Sequence, residues 1–149
     1  MLTTKPTILV ADDDFLLRTI FASSLTPHFD VLMCEDGQEA LDTARAHSAD
    51  IVLAVLDWDM PKLLGPDVGG ILWLELHIPF TIVSRGRTQE EIDYAYSQGA
   101  IDFIHKPVDN LGAKIQRLVA QPIFASIGRE RARRFPRSTH QPINLAQVE

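Results

Sequence analysis

Four short stretches of this 149-residue sequence end in groups that could do chemistry together. Asp12, Asp13 and Asp14 follow the apolar run TILVA, Asp57-Trp58-Asp59 follows IVLAVL, Ser84 follows FTIV, and Lys106 lies just beyond DFI. Carboxylates that converge on one crevice repel one another and raise each other's pKa unless a cation intervenes. The hard, oxygen-seeking divalent cation that accepts a few carboxylates and keeps several waters is Mg²⁺. A metal and a lysine on opposite sides would neutralise an incoming phosphoryl group, and a serine hydroxyl could bond one of its oxygens. The residue types therefore point to phosphoryl chemistry on a carboxylate. Taken singly, each has a plainer reading: an acidic helix start at residues 12–14, a turn aspartate at 57, a structural hydroxyl at 84. What joins them is a shared place at the ends of strands.

The elements that must supply those ends are legible from periodicity and punctuation. The runs at 7–11 and 51–56 are continuously apolar, as in strands covered on both faces. Residues 31–34, 80–83 and 102–104 read as three further strands. Between them, 15–25 carries an apolar stripe at 16, 17, 20, 21 and 25 and is closed by Pro27, and 37–47 has Ala40, Leu41 and Ala44 on one face with Asp36 as its cap. Residues 66–76 read as a helix weakened by Gly69 and Gly70. Thr88-Gln-Glu-Glu91 is a capping box, with Gly99 at the stop. A last helix at 109–120 aligns Leu111, Ile115, Leu118 and Val119. Strands alternating with helices make an α/β domain with a parallel sheet covered on both faces, and ligands in such sheets bind beyond the carboxyl ends of the strands.

Composition narrows the class. Hydrophobic residues are 46% and charged residues 23%, ordinary for a globular protein. No apolar stretch approaches a membrane span of about 18 residues, and no basic-then-apolar leader opens the chain. The one cysteine, Cys34, excludes an internal disulfide and is expected to be inert core. A cytoplasmic location is expected. The net charge of −6 is divided unevenly: residues 1–111 hold 7 Lys/Arg against 18 Asp/Glu, whereas 112–149 hold 7 against 2. That balance excludes a uniformly basic nucleic-acid binder, and neither nucleic-acid nor membrane binding is expected. His28, His47, His77, His105 and His140 show no metal-ligand spacing.

ILVADDD, LDWDMP followed by Gly65, TIVS and FIHKP, in that order and approximate spacing, resemble the response-regulator receiver domain of two-component signalling. The resemblance covers about residues 6–120 and implies a flavodoxin-like doubly wound (βα)5 fold with strand order 2-1-3-4-5, as a domain at 1–120. It implies Asp57 as phosphoacceptor, Asp13 as a direct Mg²⁺ ligand, Asp12 as a water-mediated one, and the backbone carbonyl of Asp59 as another. Ser84 would be the switch hydroxyl, Lys106 the phosphate-binding lysine, and Phe103 the switch aromatic, inward-facing for want of a tyrosine hydroxyl. The Lys106–Pro107 bond is expected to be cis, and Trp58 to cover the site. The implied partners are a histidine kinase or histidine phosphotransfer protein and a downstream protein, with homodimerisation through the face of the fourth helix, fifth strand and fifth helix.

Several positions depart from the family pattern. Arg85 stands where a small residue usually follows the switch hydroxyl, and is expected to pair with Asp59 or reach the phosphoryl group, with Arg87 close behind. Asp59 adds charge two residues after the acceptor, so Asp59 and Arg85 are candidate modulators of phosphoryl lifetime. Leu64 replaces an acidic residue before Gly65. Two other functions compete: a haloacid-dehalogenase-type phosphatase with Asp57 as nucleophile and Asp59 as acid/base, and a dimerisation module that needs no phosphorylation. The phosphatase motif normally sits on the first strand, and Asp12 and Asp13 lie on the wrong side of it. Residues 121–149 are a basic extension, expected to start as a helix at Pro122 and lose order beyond 136. It could prolong the last helix, cover the face of the fourth and fifth strands, or bridge to a partner. Its arginines at 129, 131, 133 and 134 are expected on a solvated face. Some 30 residues cannot build another core of typical size, so the chain is expected to be a stand-alone regulator or the front of a longer protein.

Overall fold

The structure, a computed structural model, describes residues 5–136. Five strands, β1 (Thr7–Ala11), β2 (Asp30–Cys34), β3 (Ile51–Asp57), β4 (Phe80–Ser84) and β5 (Asp102–His105), form one parallel sheet in the order β2-β1-β3-β4-β5. The helices are α1 (Phe15–Leu25), α2 (Gly37–Ala46), α3 (Gly65–Leu76), α4 (Gln89–Ser97), α5 (Leu111–Val119) and α6 (Pro122–Arg134). Alternation along the central strands explains the two-sided burial. On β1, Leu9 and Ala11 enter a core with Leu41, Val68, Leu72 and Ala95, from α2, α3 and α4. Ile8 and Val10 enter the opposite core with Phe21, Leu25, Leu111 and Ile115, from α1 and α5. Each fully buried Leu or Ile contributes about 1.5–3 kcal/mol of hydrophobic stabilisation.

The local signals act as their chemistry requires. Asp36 Oδ1 accepts from Glu39 N–H at 2.8 Å, and Thr88 and Glu91 cap each other reciprocally. Asp14 belongs to the helix-start reading: its carboxylate accepts from the amides of Leu16 and Leu17 and caps α1. Gly69 is needed for contact, since a Cβ there would lie 2.2 Å from the Phe80 ring. Strands β3, β4 and β5 run one residue further than their apolar runs, to Asp57, Ser84 and His105, and α5 starts at Leu111 behind Asn110 instead of at 109. The α1 stripe is narrower than its apolar spacing. Phe21, Ala22 and Leu25 are buried and Leu17 packs beside them, but Leu16 and Ile20 lie with Phe15 on the exposed face of the helix.

The extension does begin as a helix at Pro122, but α6 neither prolongs α5 nor covers β4 and β5. It lies at the end of the sheet opposite the strand carboxyl ends, with Ile127 buried and a shallow groove between it and Trp73 and His77. One of its arginines is not solvated. Arg131 is half-buried and donates to the backbone carbonyls of Ile51 (2.6 Å) and Ser48. The polar stretch from 137 onward, with His140 and Glu149, lies outside the described residues. Arg131→Met retains an apolar stem but takes the donor from both carbonyls, and should lower stability to urea by about 1–3 kcal/mol. An unchanged urea midpoint and slope would mean that α6 is held by its apolar contacts alone.

Candidate functional site

The sheet order puts the ends of β1 and β3 side by side. Asp57 is the last residue of β3, and Asp12 and Asp13 directly follow β1. One carboxylate oxygen from each of Asp12, Asp13 and Asp57 lies within 4.8 Å of the others. Asp12 is 1% and Asp57 9% exposed, while Asp13 opens to solvent. Lys106, just past β5, reaches back across the end of β4. Its Nζ lies 2.9 Å from Asp12 Oδ2 and 3.0 Å from Asp57 Oδ1. Its backbone N–H donates to the Ser84 carbonyl at 2.9 Å, and the Lys106–Pro107 bond is cis.

The electrostatics of this cluster are unbalanced. Burial pushes the Asp57 carboxyl up to about 6; Lys106 opposes the shift, and Asp12 and Asp13 add to it. Burial pulls the Lys106 ammonium down, but its bonds to Asp12 and Asp57 prevail and hold its pKa above the ordinary lysine value. One ammonium cannot neutralise three carboxylates. The donor set is therefore all oxygen, anionic and open on the Asp13 side, which suits a hard dication that keeps part of its water shell. A second acidic group, Glu35, Asp36 and Glu39, has a structural explanation in capping α2 and in the ion pair of Asp36 with Lys62.

Around the cluster, Ser84 is buried and Phe103 is 9% exposed and turned inward beside Trp58. Trp58 is itself buried, next to Phe103 and Tyr94. Cys34 is buried core whose thiol is pushed up to about 11, chiefly by burial. The pairing with Asp59 expected of Arg85 is made by a different residue. Gly86 adopts φ +47°, a left-handed turn that favours glycine, so Arg85 points to solvent and Arg87 folds back over the site. Arg87 pairs with Asp59, donates to Ser84 Oγ at 2.9 Å, and lies with its Cζ 4.6 Å from the Trp58 ring centre. Its spacing to Glu91, four residues on and 3.1 Å away, is the signal in the sequence that could have singled it out. Arg18 is a second residue that motif reasoning missed; its Nη1 donates to the Asp12 carbonyl at 2.8 Å.

Residues 8–116 match the response regulator receiver domain family, and the chain belongs to it. It is 30% identical over 148 residues to the DNA-binding response regulator MtrA of Mycobacterium bovis, covering 99% of this chain and 59% of that protein. It is 29% identical over 120 residues to the protein-glutamate methylesterase/protein-glutamine glutaminase of Pyrococcus horikoshii, covering 76% of this chain and 32% of the relative. The chain thus spans only part of the length of these relatives. Among solved structures it resembles chemotaxis protein CheY4 of Vibrio cholerae, with TM-score 0.70, 22% identity, and coverage of 76% of this chain and 98% of that one. It also resembles a chain of the CheX-CheY-BeF3-Mg+2 complex of Borrelia burgdorferi, with TM-score 0.71, 23% identity, and coverage of 78% and 89%. The family is a signalling domain whose members bind Mg²⁺ in an acidic pocket. No described helix is long and apolar enough to cross a membrane.

The raised Asp57 pKa makes a stability prediction. Between its ordinary value of 3.8 and about 6 the native state keeps a proton that the unfolded chain has lost, so ionised Asp57 costs stability above that window and nothing below it. Lys106 gains stability that persists at neutral pH and fades only in alkali, so it adds no slope there. With divalent cations chelated, Asp57→Asn should be the more stable protein at pH 7 by on the order of 2 kcal/mol, the gain shrinking as pH falls from about 6 to 4. Urea unfolding across that range checks it, and a gain independent of pH would refute it.

Proposed function

We propose that this domain accepts a phosphoryl group on Asp57 from a histidine kinase or histidine phosphotransfer protein, and thereby switches a protein-interaction surface. The observation that carries this reading is the Lys106 ammonium held between Asp12 and Asp57 at the carboxyl ends of three parallel strands. In the reaction, an Asp57 carboxylate oxygen forms a bond to phosphorus while the bond from phosphorus to the donor's imidazole nitrogen breaks, giving an acyl phosphate. Lys106 supplies a fixed positive charge for the transferred oxygens, and the Ser84 hydroxyl donates to one of them. Asp13 and Asp57, the backbone carbonyl of Asp59, and Asp12 through water would hold Mg²⁺, which when bound neutralises charge on the transferring group.

Phe103 is the aromatic expected to turn into the space left when Ser84 moves, altering the surface made by α4, β5 and α5. That surface is the proposed contact for a downstream protein or a second copy of the chain. The tail at 121–149 is proposed to be an extension to a receiver unit at 1–120. Asp59 is a candidate modulator of phosphoryl lifetime, acting together with Arg87 in place of Arg85. The phosphatase alternative gains no support, since the LDWDMP segment lies on the third strand of a chain belonging to the receiver family.

In Mg²⁺ with acetyl phosphate, the wild type should gain one phosphoryl mass per chain and Asp57→Asn none. Beryllofluoride should change Trp58 emission in a Trp73→Phe background. An unchanged mass of the wild type together with unchanged emission in the Trp73→Phe background would sink the phosphoacceptor reading, whereas steady turnover of phosphate esters would restore the phosphatase.

A further inference from the structure

Each of the three guanidinium nitrogens of Arg87 donates to the neighbourhood of the site. Its Nε donates to Ser84 Oγ at 2.9 Å, its Nη1 to Glu91 Oε2 at 3.1 Å, and its Nη2 to Asp59 Oδ2. Its plane lies over Trp58, and its side chain is only 16% exposed. These anchors belong to the loop after β3, the end of β4 and the first turn of α4. A guanidinium fork can serve them at once, whereas a lysine point charge cannot. Nothing in the receiver motifs requires this residue.

We propose that Arg87 is a positioning residue that holds the Ser84 hydroxyl in its resting direction and must release it when a phosphoryl group arrives on Asp57. The inference rests on the phosphoacceptor reading above. A serine hydroxyl has one proton and two lone pairs. Here it accepts from Arg87 Nε, and its proton points to the Arg85 carbonyl at 3.3 Å. In the sheet register Val83 stands opposite Asp57, so Ser84 is one residue beyond it on the adjacent strand. To donate to a phosphoryl oxygen the hydroxyl gives up the Arg85 carbonyl, and the side-chain rotation that carries its oxygen toward Asp57 draws that oxygen off Arg87 Nε. Losing one arm of the fork weakens the seating of the other two. The event that turns Ser84 therefore also loosens the hold of Arg87 on Asp59, on Glu91 in the first turn of α4, and on the Trp58 face. Arg87 thus favours the resting state by binding it selectively, and the coupling is reciprocal.

The test titrates beryllofluoride in excess Mg²⁺ into the full chain carrying Trp73→Phe, leaving Trp58 as its one indole. The proteins compared are this background alone and with Arg87→Ala, Arg87→Lys or Asp57→Asn. Arg87→Ala should half-saturate at roughly three- to tenfold lower beryllofluoride, the scale of one hydrogen bond removed from the competing state. Its Trp58 emission change should be smaller, because no guanidinium is displaced. Arg87→Lys, which keeps the charge and most of the stem, should shift affinity the same way and decides the matter if Arg87→Ala does not fold. Binding to the background protein but not to Asp57→Asn, with both Arg87 variants unchanged or weaker, overturns the Arg87 inference alone. Failure of the background protein to bind, or equal binding by Asp57→Asn, overturns the phosphoacceptor reading and this inference with it.

Discussion

The contact on which the arrangement depends is the Lys106 ammonium seated between Asp12 and Asp57. Its partners lie 94 and 49 residues away in sequence, so only the sheet can bring them together. Strands β1 and β3 are neighbours, and β4 separates β3 from β5. The lysine must therefore cross the end of β4, and its reach suffices because its root is fixed there by the bond from its N–H to the Ser84 carbonyl. Ser84 pairs with His105 in the ladder, so the register of β4 with β5 fixes where the lysine starts, and the register of β1 with β3 fixes where it ends. A slip of one residue in either would turn alternate side chains to the wrong face and break both cores along with the site.

Such a cluster is not there for stability. Burying carboxylates forfeits hydration that one ammonium cannot return, which is why Asp57 holds its proton to about 6. The compensation lies elsewhere in the sheet, where Ile8, Leu9, Leu53, Leu56 and Ile82 are fully buried. The central strands pack helices on both faces, and that redundancy lets their final residues be chosen for chemistry. Asp57 and Ser84 extend strands whose preceding residues are all apolar or, at Thr81, satisfied by the Asp102 carbonyl.

The strands were legible because fully buried strands leave unbroken apolar runs and helices leave caps, as at Asp36 and Thr88; their order came with the resemblance to the receiver family. Motif order brought Asp12, Asp13, Asp57, Ser84 and Lys106 to one end of the sheet, where the structure has them. Illegible features were those set by three-dimensional coverage or by a single turn. The apolar spacing of Leu16 and Ile20 does not reveal that they lie on the face of α1 turned away from the core. Arg85 and Arg87 are chemically alike, and only the left-handed turn at Gly86 decides which one returns to the site. Gly69 read as a weakness in α3 because a sequence does not show the Phe80 ring against it.

The opposition between an acidic body and a basic end becomes, in three dimensions, a set of local pairings. Arg133 and Arg134 pair with Glu130 on the same helix, Arg129 donates to Ser126, and Arg131 is spent on two backbone carbonyls. The exposed pairs add little stability. They sit at the opposite end of the sheet from Asp57, where salt screens exposed charges beyond about 10 Å. Among the described residues, the cations that touch the carboxylate cluster or its rim are Lys106 within, Arg18 on the Asp12 carbonyl and Arg87 at the mouth. A charge count suggests an interplay between body and tail; among the described residues the cations at the site are a lysine and two arginines that come from the acidic body itself.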